Sequence, residues 1–441
     1  MPVLALPGIP DLLALHRRNP RRYPFLLQTL GGYPGWDILF AFPQLQLPHA
    51  SSPSSGNSAP FLSQLDCLWK EHAALAVSDP AAAHLPFRGG WFVYLGYELL
   101  HELETSVARK SDGDDFPLAW LARIPAALLV DRSKQQAWAV AEDGHAGCME
   151  TMLADLAEMG GASSVSIVVK DLAEEEPQQF LDGVARIKRY IREGDVFQVN
   201  LARRWQGRLT QGNAADLYAV LCERNPAPFA GLADFGAHQI VSSSPERLAR
   251  VTDDEIETRP IAGTHPRAAT PEEDASLRQA LISSAKERAE HIMLVDLERN
   301  DLGRICRPGS VRVDELMAVR SYAHVHHIES NVRGRLLPGT TPGQTLRALF
   351  PGGTITGCPK VRTMQIISEL ESSPRLAYTG SMGYLNHDGS MDLNILIRSF
   401  MLAGGELSFK AGAGIVADSE PQRELAETRA KAKGLLSALR P

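Results

Sequence analysis

GELSFKAGAGIVADSEPQRELAETRAK, residues 405–431, opens as a β-like run, passes through small residues and ends in a helical stretch carrying acids and a lysine. From Ser419 onward, Glu424, Glu427 and Lys431 stand at i, i+3 and i+7 and so share one helix face, while Leu425, Leu435, Leu436 and Leu439 supply a separate apolar one. By itself such a stripe reads as a solvated face. The approach through Gly412, Ala413 and Gly414 weakens that reading, because small residues at a strand end let a ligand touch the backbone.

Outward from this stretch the chain alternates β-like runs, HQIVSSS (238–244) and SVRVDEL (310–316), with helical ones, PQQFLDGVARIKRYIREG (177–194) and DASLRQALISSAKERAEHIMLVDLERND (274–301). Strands in hairpin-like succession with helices between the groups predict an α+β protein with large, mostly antiparallel sheets. HASSPSSGNSAP (49–60) and RKSDGDDFP (109–117) read as surface loops. Near 160–178 a short strand, SVSIVVK (164–170), is followed by the acidic DLAEEEP, which reads as a helix entrance. The junction is placed there, between an N-terminal region, 1–165, and a second region, 178–433, interwoven into one globule.

Composition excludes several classes. A formal charge of −7 over 441 residues gives no basic field for nucleic acid. The odd set Cys67, Cys148, Cys222, Cys306 and Cys358 has no CxxC spacing, which argues against a disulfide framework or a zinc site. No window reaches the roughly 20 apolar residues of a membrane span, and no basic lead precedes a long apolar run at the N-terminus. A soluble cytoplasmic protein is expected.

A second acidic cluster lies in SAKERAEHIMLVDLERNDLGR (284–304), where Glu287 and Glu290 are three apart on a helix. Carboxylates from two helices, completed by waters and ligand oxygens, suit Mg²⁺. Arg398 sits in the apolar run DLNILIRSF, where a charge is costly unless paired, so a bidentate carboxylate partner is expected, either structural or from a ligand. FPGGTITGCPK (350–360) offers backbone N–H groups to an anion but lacks the GK[ST] ending of a P-loop. VHHIES (325–330) supplies His326 and His327, and SSSPERL (242–248) supplies Glu246 as a candidate proton donor. Taken singly, each of these reads as structural.

Together, GDVFQVNLARR, SSSPERL, TRPIAGTHPR, RAEHIMLVDLERNDLGR, HHIES, PGGTITGCPKVR, YTGSMGYL, ILIRS and AGAGIVADSEPQRELAETRAK occur in the order seen in chorismate-utilising enzymes, and the resemblance spans 178–433. It implies an α/β sandwich of two large packed antiparallel sheets with outer helices, holding chorismate and Mg²⁺ between them. By the same resemblance Glu290 and Glu427 are magnesium ligands supported by Glu287 and Glu424, and Glu246 is the acid for the departing C4 hydroxyl. His327 lines the ring pocket, Thr264 positions the ring beside Ala262 and Gly263, and Thr356 lies in the anion-facing loop. Arg398 and Tyr378 clamp the enolpyruvyl carboxylate, and Lys431 with Gly412 and Gly414 completes the anion site.

Gln198 stands where the water-adding members carry a lysine base, which favours the ammonia-using branch, since ammonia brings its own lone pair. Within that branch QVNLARR, PGGTITG, NPAPFAG (225–231) and WDILFAFP (36–43) resemble the aminodeoxychorismate synthases, whereas Ala262 in PIAGT matches the anthranilate synthases; both remain open. Where other members have lysine in PIKGT, attack at C2 is covalent; a methyl group has no nucleophilic atom. The N-terminal region resembles a tryptophan-holding domain, but its LLES motif appears as LLQT (26–29), so feedback inhibition is not expected. With no Cys/His/Glu glutaminase triad region, a separate glutamine amidotransferase subunit is the expected ammonia source. A chorismate-binding protein without catalysis is the remaining alternative, and it would predict loss of Glu246, Glu290 or Glu427, all of which are present.

Overall fold

The computed structural model describes residues 2–49, 59–75, 82–110, 115–160, 165–268, 270–321 and 325–440. Most of the Ser/Pro-rich stretch expected as a loop, residues 111–114 of the second one and 161–164 at the expected junction lie outside the described residues.

Two sheets dominate, and every neighbouring pair of strands in them is antiparallel. The larger, of twelve strands, runs Val3–Ala5, Gln136–Ala141, Ala126–Asp131, Trp36–Ala41, Phe25–Gln28, Phe229–Asp234, His238–Ser244, Ser399–Ala403, Glu406–Ile415, Gln198–Gln211 and Gly357–Cys358, with Val168–Glu174 also on Gln198–Gln211. The smaller, of ten, runs Ile261–Pro266, Val325–Arg335, Glu255–Thr258, Arg247–Thr252, Met391–Asn394, Ser381–Asn386, Gly90–Leu95, Ala119–Ile124 and Gln46–His49, with Arg312–Ser321 also on Val325–Arg335. Strands from the first 165 residues thus enter both sheets: Phe25–Gln28 pairs with Phe229–Asp234, and Gly90–Leu95 with Ser381–Asn386.

Between the sheets lies a core of Phe25, Phe40, Phe92, Tyr94, Met382, Leu396 and Met401. Phe25 of one sheet stacks on Phe92 of the other, with centroids 3.9 Å apart and planes 3° from parallel. Helices cover the outer faces. In Pro177–Glu193 the apolar spacing is i, i+4, i+7, and Phe180, Val184 and Ile187 pack on Val199, Leu201, Ala413 and Ile415. Pro177 opens that helix, and Gly194, at φ 85°, closes it in the left-handed region.

One local expectation is overturned and another is narrowed. The helical run 274–301 is broken at Ser284, which is extended (φ −68°, ψ 114°), into Pro271–Ser283 and Ala285–Gly303. The Ser284 hydroxyl accepts the Glu287 N–H at 3.3 Å, so a serine inside an apparent helix acts as the cap of a new one. The acidic DLAEEEP (171–177) leads into the helix only at its end: Asp171–Glu174 finishes strand Val168–Glu174, Glu176 is the N-cap and the helix begins at Pro177. Pairing with Gln198–Gln211 and the Glu174–Arg203 and Glu174–Arg429 ion pairs override local preference there.

Two of the points at which the chain changes sheets adjoin one another. Ser244 ends a strand of the larger sheet and Arg247 begins one of the smaller; Asn394 ends a strand of the smaller and Ser399 begins one of the larger. The Ile395 N–H donates to Glu246 O at 2.9 Å and the Ser243 N–H to Arg398 O at 3.1 Å, which bind the two crossings together. Glu246 and Arg398 therefore meet at a corner of the sandwich.

Candidate active site

Glu246 lies in the first crossing, where neither sheet's hydrogen-bond ladder claims it. It is buried, and the Thr354 hydroxyl donates to its Oε1 at 2.6 Å. Burial pushes its carboxyl up to about 7, helped by repulsion from Glu298 and opposed by the Thr354 hydrogen bond and by Lys431 and Arg398. A carboxyl so placed holds its proton near neutrality and can donate it.

Arg398 turns back into the larger sheet with φ +51°, uncommon for a residue with a Cβ. Among the described residues its guanidinium has no hydrogen bond or ion pair; desolvation lowers its pKa, and Glu246 and Tyr33 pull the other way. The carboxylate partner expected for it is thus not supplied by the described protein. The planar fork remains available to a ligand carboxylate. Tyr33 comes from the N-terminal region, and nothing in its local sequence singled it out.

Strand Glu406–Ile415 carries two glycines on which neighbouring polar side chains close directly. Gly412 and Gly414 are two apart, so they share one face about 7 Å from one another, and their partners on Gln198–Gln211 are Ala202 and Asn200. A Cβ on Gly412 would stand 2.5 Å from Asn200 Oδ1 and 2.9 Å from the Tyr378 hydroxyl; one on Gly414 would stand 2.2 Å from Gln198 Nε2 and 3.2 Å from Glu290 Oε1. Only glycine leaves these groups where they are. Gln198 Nε2 donates to Glu290 Oε1 at 2.8 Å, which fixes the orientation of the amide. Its Oε1, like Asn200 Oδ1, is buried with no hydrogen-bond partner among the described residues. Lys431 Nζ donates to Gly412 O at 3.1 Å and pairs with Glu427 at 2.8 Å.

Gly263 forms a bulge in Ile261–Pro266: Ala262 opposes Ile328 and Thr264 opposes His327, with Gly263 the extra residue at φ +61°. A Cβ there would meet Glu287 Oε2 at 2.9 Å, so the bulge and the helix carrying Glu287 and Glu290 are in contact. His327 Nδ1 lies 3.1 Å from Gly263 O and donates to it. Desolvation drives the His327 pKa down to about 3, so the ring is neutral and can line a pocket but not neutralise an anion. The Thr264 side chain lies outside the described residues.

Ten of the expected residues, Glu246, Arg398, Tyr378, Gln198, Glu290, Glu427, Gly412, Gly414, Lys431 and Glu287, are thus carried by the two crossings, the glycine strand and elements touching them. Glu424 is buried on the inner side of helix Pro421–Ala438. Thr356 differs from expectation: its buried hydroxyl donates to Gly352 O at 2.9 Å and closes the loop on itself. The hydroxyl that reaches the acid is Thr354's, two residues earlier in PGGTITG. Sequence spacing cannot tell the two threonines apart, because the choice depends on where Glu246 arrives from another strand.

Glu287 and Glu290 on one helix and Glu424 and Glu427 on the other offer carboxylate oxygens only. Among the described residues no three His, Cys, Asp or Glu side chains cluster as a metal site. One or two carboxylates completed by water and ligand oxygens are nevertheless what Mg²⁺ accepts, so Glu290 and Glu427 fit that ion. Among the described residues no helix is long and apolar enough to cross a membrane.

Residues 45–437 match the family described as chorismate binding enzyme. An anthranilate synthase component I-like protein of Synechocystis sp. is 43% identical over 86% of this chain and 78% of its own length. Aminodeoxychorismate synthase component 1 of Bacillus subtilis is 39% identical over 80% of this chain and 77% of its own. The crystal structure of anthranilate synthase component I from Streptococcus pneumoniae superposes with a TM-score of 0.80 at 32% identity, covering 94% of each chain.

Proposed function

The chain belongs to the chorismate binding enzyme family and is an enzyme acting on chorismate; from that premise we propose that it aminates chorismate to 4-amino-4-deoxychorismate, the precursor of para-aminobenzoate. In this reading it works in the cytoplasm with Mg²⁺ and with ammonia delivered by a separate glutamine amidotransferase subunit. Gln198 carries the amination reading. Water addition needs a base, and an amide whose nitrogen already donates to Glu290 has no proton-accepting lone pair of useful strength. Its buried Oε1 is instead an acceptor suited to an N–H of ammonia.

Arg398 and the Tyr378 hydroxyl hold the enolpyruvyl carboxylate, and the ring carboxylate faces the backbone of Gly412 and Gly414. Glu290 and Glu427, supported by Glu287 and Glu424, would hold Mg²⁺, which would supply positive charge against the ring carboxylate. Glu246 gives its proton to the C4 hydroxyl, which departs as water. Ala262 offers no nucleophile, so a small one, ammonia or water, adds at C2 as the hydroxyl leaves. Ammonia then enters at C4 and the C2 substituent departs. The neutral His327 and the Gly263 bulge shape the ring pocket, where Thr264 is assigned a positioning role.

Ala262 also favours a second reading. If ammonia adds at C2 and stays, loss of pyruvate gives anthranilate. Product analysis with chorismate, Mg²⁺ and ammonium at alkaline pH, without a partner subunit, separates the two. Aminodeoxychorismate, scored as 4-aminobenzoate once a lyase is added, is the expected product. Fluorescent anthranilate without lyase establishes the second reading, and isochorismate as main product overturns the role of Gln198.

A further inference from the structure

The loop Pro351–Gly357 is gripped by two buried carboxyls, and the chemistry above uses only one of them. Glu246 takes the Thr354 hydroxyl at 2.6 Å. The other is Glu298, on helix Ala285–Gly303, which is 7% exposed. The Thr258 hydroxyl donates to its Oε2 at 2.9 Å, and Gly353 lies against the same carboxylate. Its Oε1 is so close to the loop that a Cβ on Gly353 would stand 3.3 Å from it. Glu298 and Glu246 therefore touch consecutive residues, Gly353 and Thr354.

Glu298 shares its surroundings with a second acid and a lysine. Lys360, from helix Lys360–Leu370, pairs with Asp301 and also donates to Leu349 O at 3.1 Å. Asp301, one turn along the same helix, adds a second negative charge. Burial and Asp301 raise the Glu298 carboxyl, while Lys360, Thr258 and the Gly353 amide pull it down. Around Glu246 the charged groups are Glu298, Lys431 from helix Pro421–Ala438 and Arg398 from the second crossing.

We propose that Glu298 is a positioning residue for the proton donor: it braces the loop at Gly353 so that the Thr354 hydroxyl stays on Glu246, and it stands close enough to Glu246 that ionising one carboxyl opposes ionising the other. The inference rests on Glu246 being the acid. Two carboxyls with one loop between them titrate as a pair, so ionising either makes the other harder to ionise.

The test compares the full-length wild-type protein with Glu298→Gln, Glu298→Asp and Thr354→Val. Two quantities are read: the alkaline limb of kcat/KM for chorismate at constant free ammonia, and the titration of the Glu246 carboxyl. The latter is followed by ¹³C NMR of carboxyl-labelled glutamate and assigned by its loss in Glu246→Gln. Glu298→Gln keeps an acceptor for Gly353 or Thr258 but removes the charge, so both the resonance and the limb should move to lower pH by about half a unit or more, roughly threefold in protonated fraction on the alkaline side. Thr354→Val removes a donor to the carboxylate and should move both the opposite way. Glu298→Asp retains the charge and should stay nearer to wild type than Glu298→Gln. A resonance that stays put or rises in Glu298→Gln overturns the proposal and leaves the acid assignment standing. A resonance that falls while the limb stays put shows that Glu246 is not the acid, and the catalytic part of the inference falls with it. Should Glu298→Gln not fold, Glu298→Asp with Thr354→Val carries the titration comparison, and a Glu246 resonance that Thr354→Val leaves unmoved then overturns the proposal.

Discussion

Replacing Gly414 with Ala perturbs the site by a single methyl whose position is known. Gly414 needs no left-handed backbone, so alanine fits the strand itself, but its Cβ would stand 2.2 Å from Gln198 Nε2, an approach no real contact tolerates. The amide must swing away, and the 2.8 Å hydrogen bond to Glu290 is lost with it. Overpacking of this kind costs about 1–3 kcal/mol, and a hydrogen bond to a charged group adds about 1.5–3 kcal/mol. The same methyl stands 3.2 Å from Glu290 Oε1 and fills the face assigned to the ring carboxylate. Chorismate affinity, measured by calorimetry, should fall at least about tenfold, the equivalent of 1.4 kcal/mol. The decisive comparison is a double-mutant cycle with Gln198→Ala, which removes the side chain that clashes. In that background Gly414→Ala should lower the melting temperature much less than it does alone, a coupling of about 1–3 kcal/mol. Strict additivity in melting temperature, with unchanged chorismate affinity, would refute the packing of Gly414 against Gln198 and the ligand role of this face.

Glu290→Gln and Glu427→Gln should each cut turnover far more than Glu420→Gln at saturating Mg²⁺, and equal turnover in all three would remove the metal assignment. Arg398→Lys keeps the charge but not the planar fork, and should weaken chorismate binding by about 2–5 kcal/mol as judged by the dissociation constant. An unchanged constant would make Arg398 structural. The Glu246 carboxyl is raised to about 7, so its protonated form is present below that pH and lost above it; kcat/KM at constant free ammonia should fall as pH rises through this range, and a flat profile would exclude Glu246 as donor. Intact-protein mass spectrometry after mixing enzyme, chorismate and Mg²⁺ without ammonia should show unmodified protein, since Ala262 cannot attack C2. An adduct surviving denaturation would refute the non-covalent route.

What could be read in one dimension was local. Helix Pro177–Glu193 follows from the spacing of Phe180, Val184 and Ile187 between a proline and a glycine, and strand Glu406–Ile415 with the helix after it follows from one contiguous stretch. The ordered motifs from Gly194 to Lys431 likewise pointed to chorismate chemistry without any knowledge of which strands are neighbours, because each motif is short and keeps its own residue types.

Partnership belonged to the tertiary structure alone. Ser284 looks like one more residue of a long helix until the chain must turn, and Asp171–Glu174 is a strand only because Gln198–Gln211 lies beside it with Arg203. Glu246 and Arg398 each stand out only within their own short runs; the two sheet crossings bring them to one corner, bury the acid and leave the guanidinium without a described protein partner. Thr354 rather than Thr356 serves the acid, and Glu298 faces it across the same loop, for one reason: a hydrogen bond requires two groups within about 3 Å, and for residues far apart along the chain that distance is set by the packing of the sheets and not by the spacing of the letters.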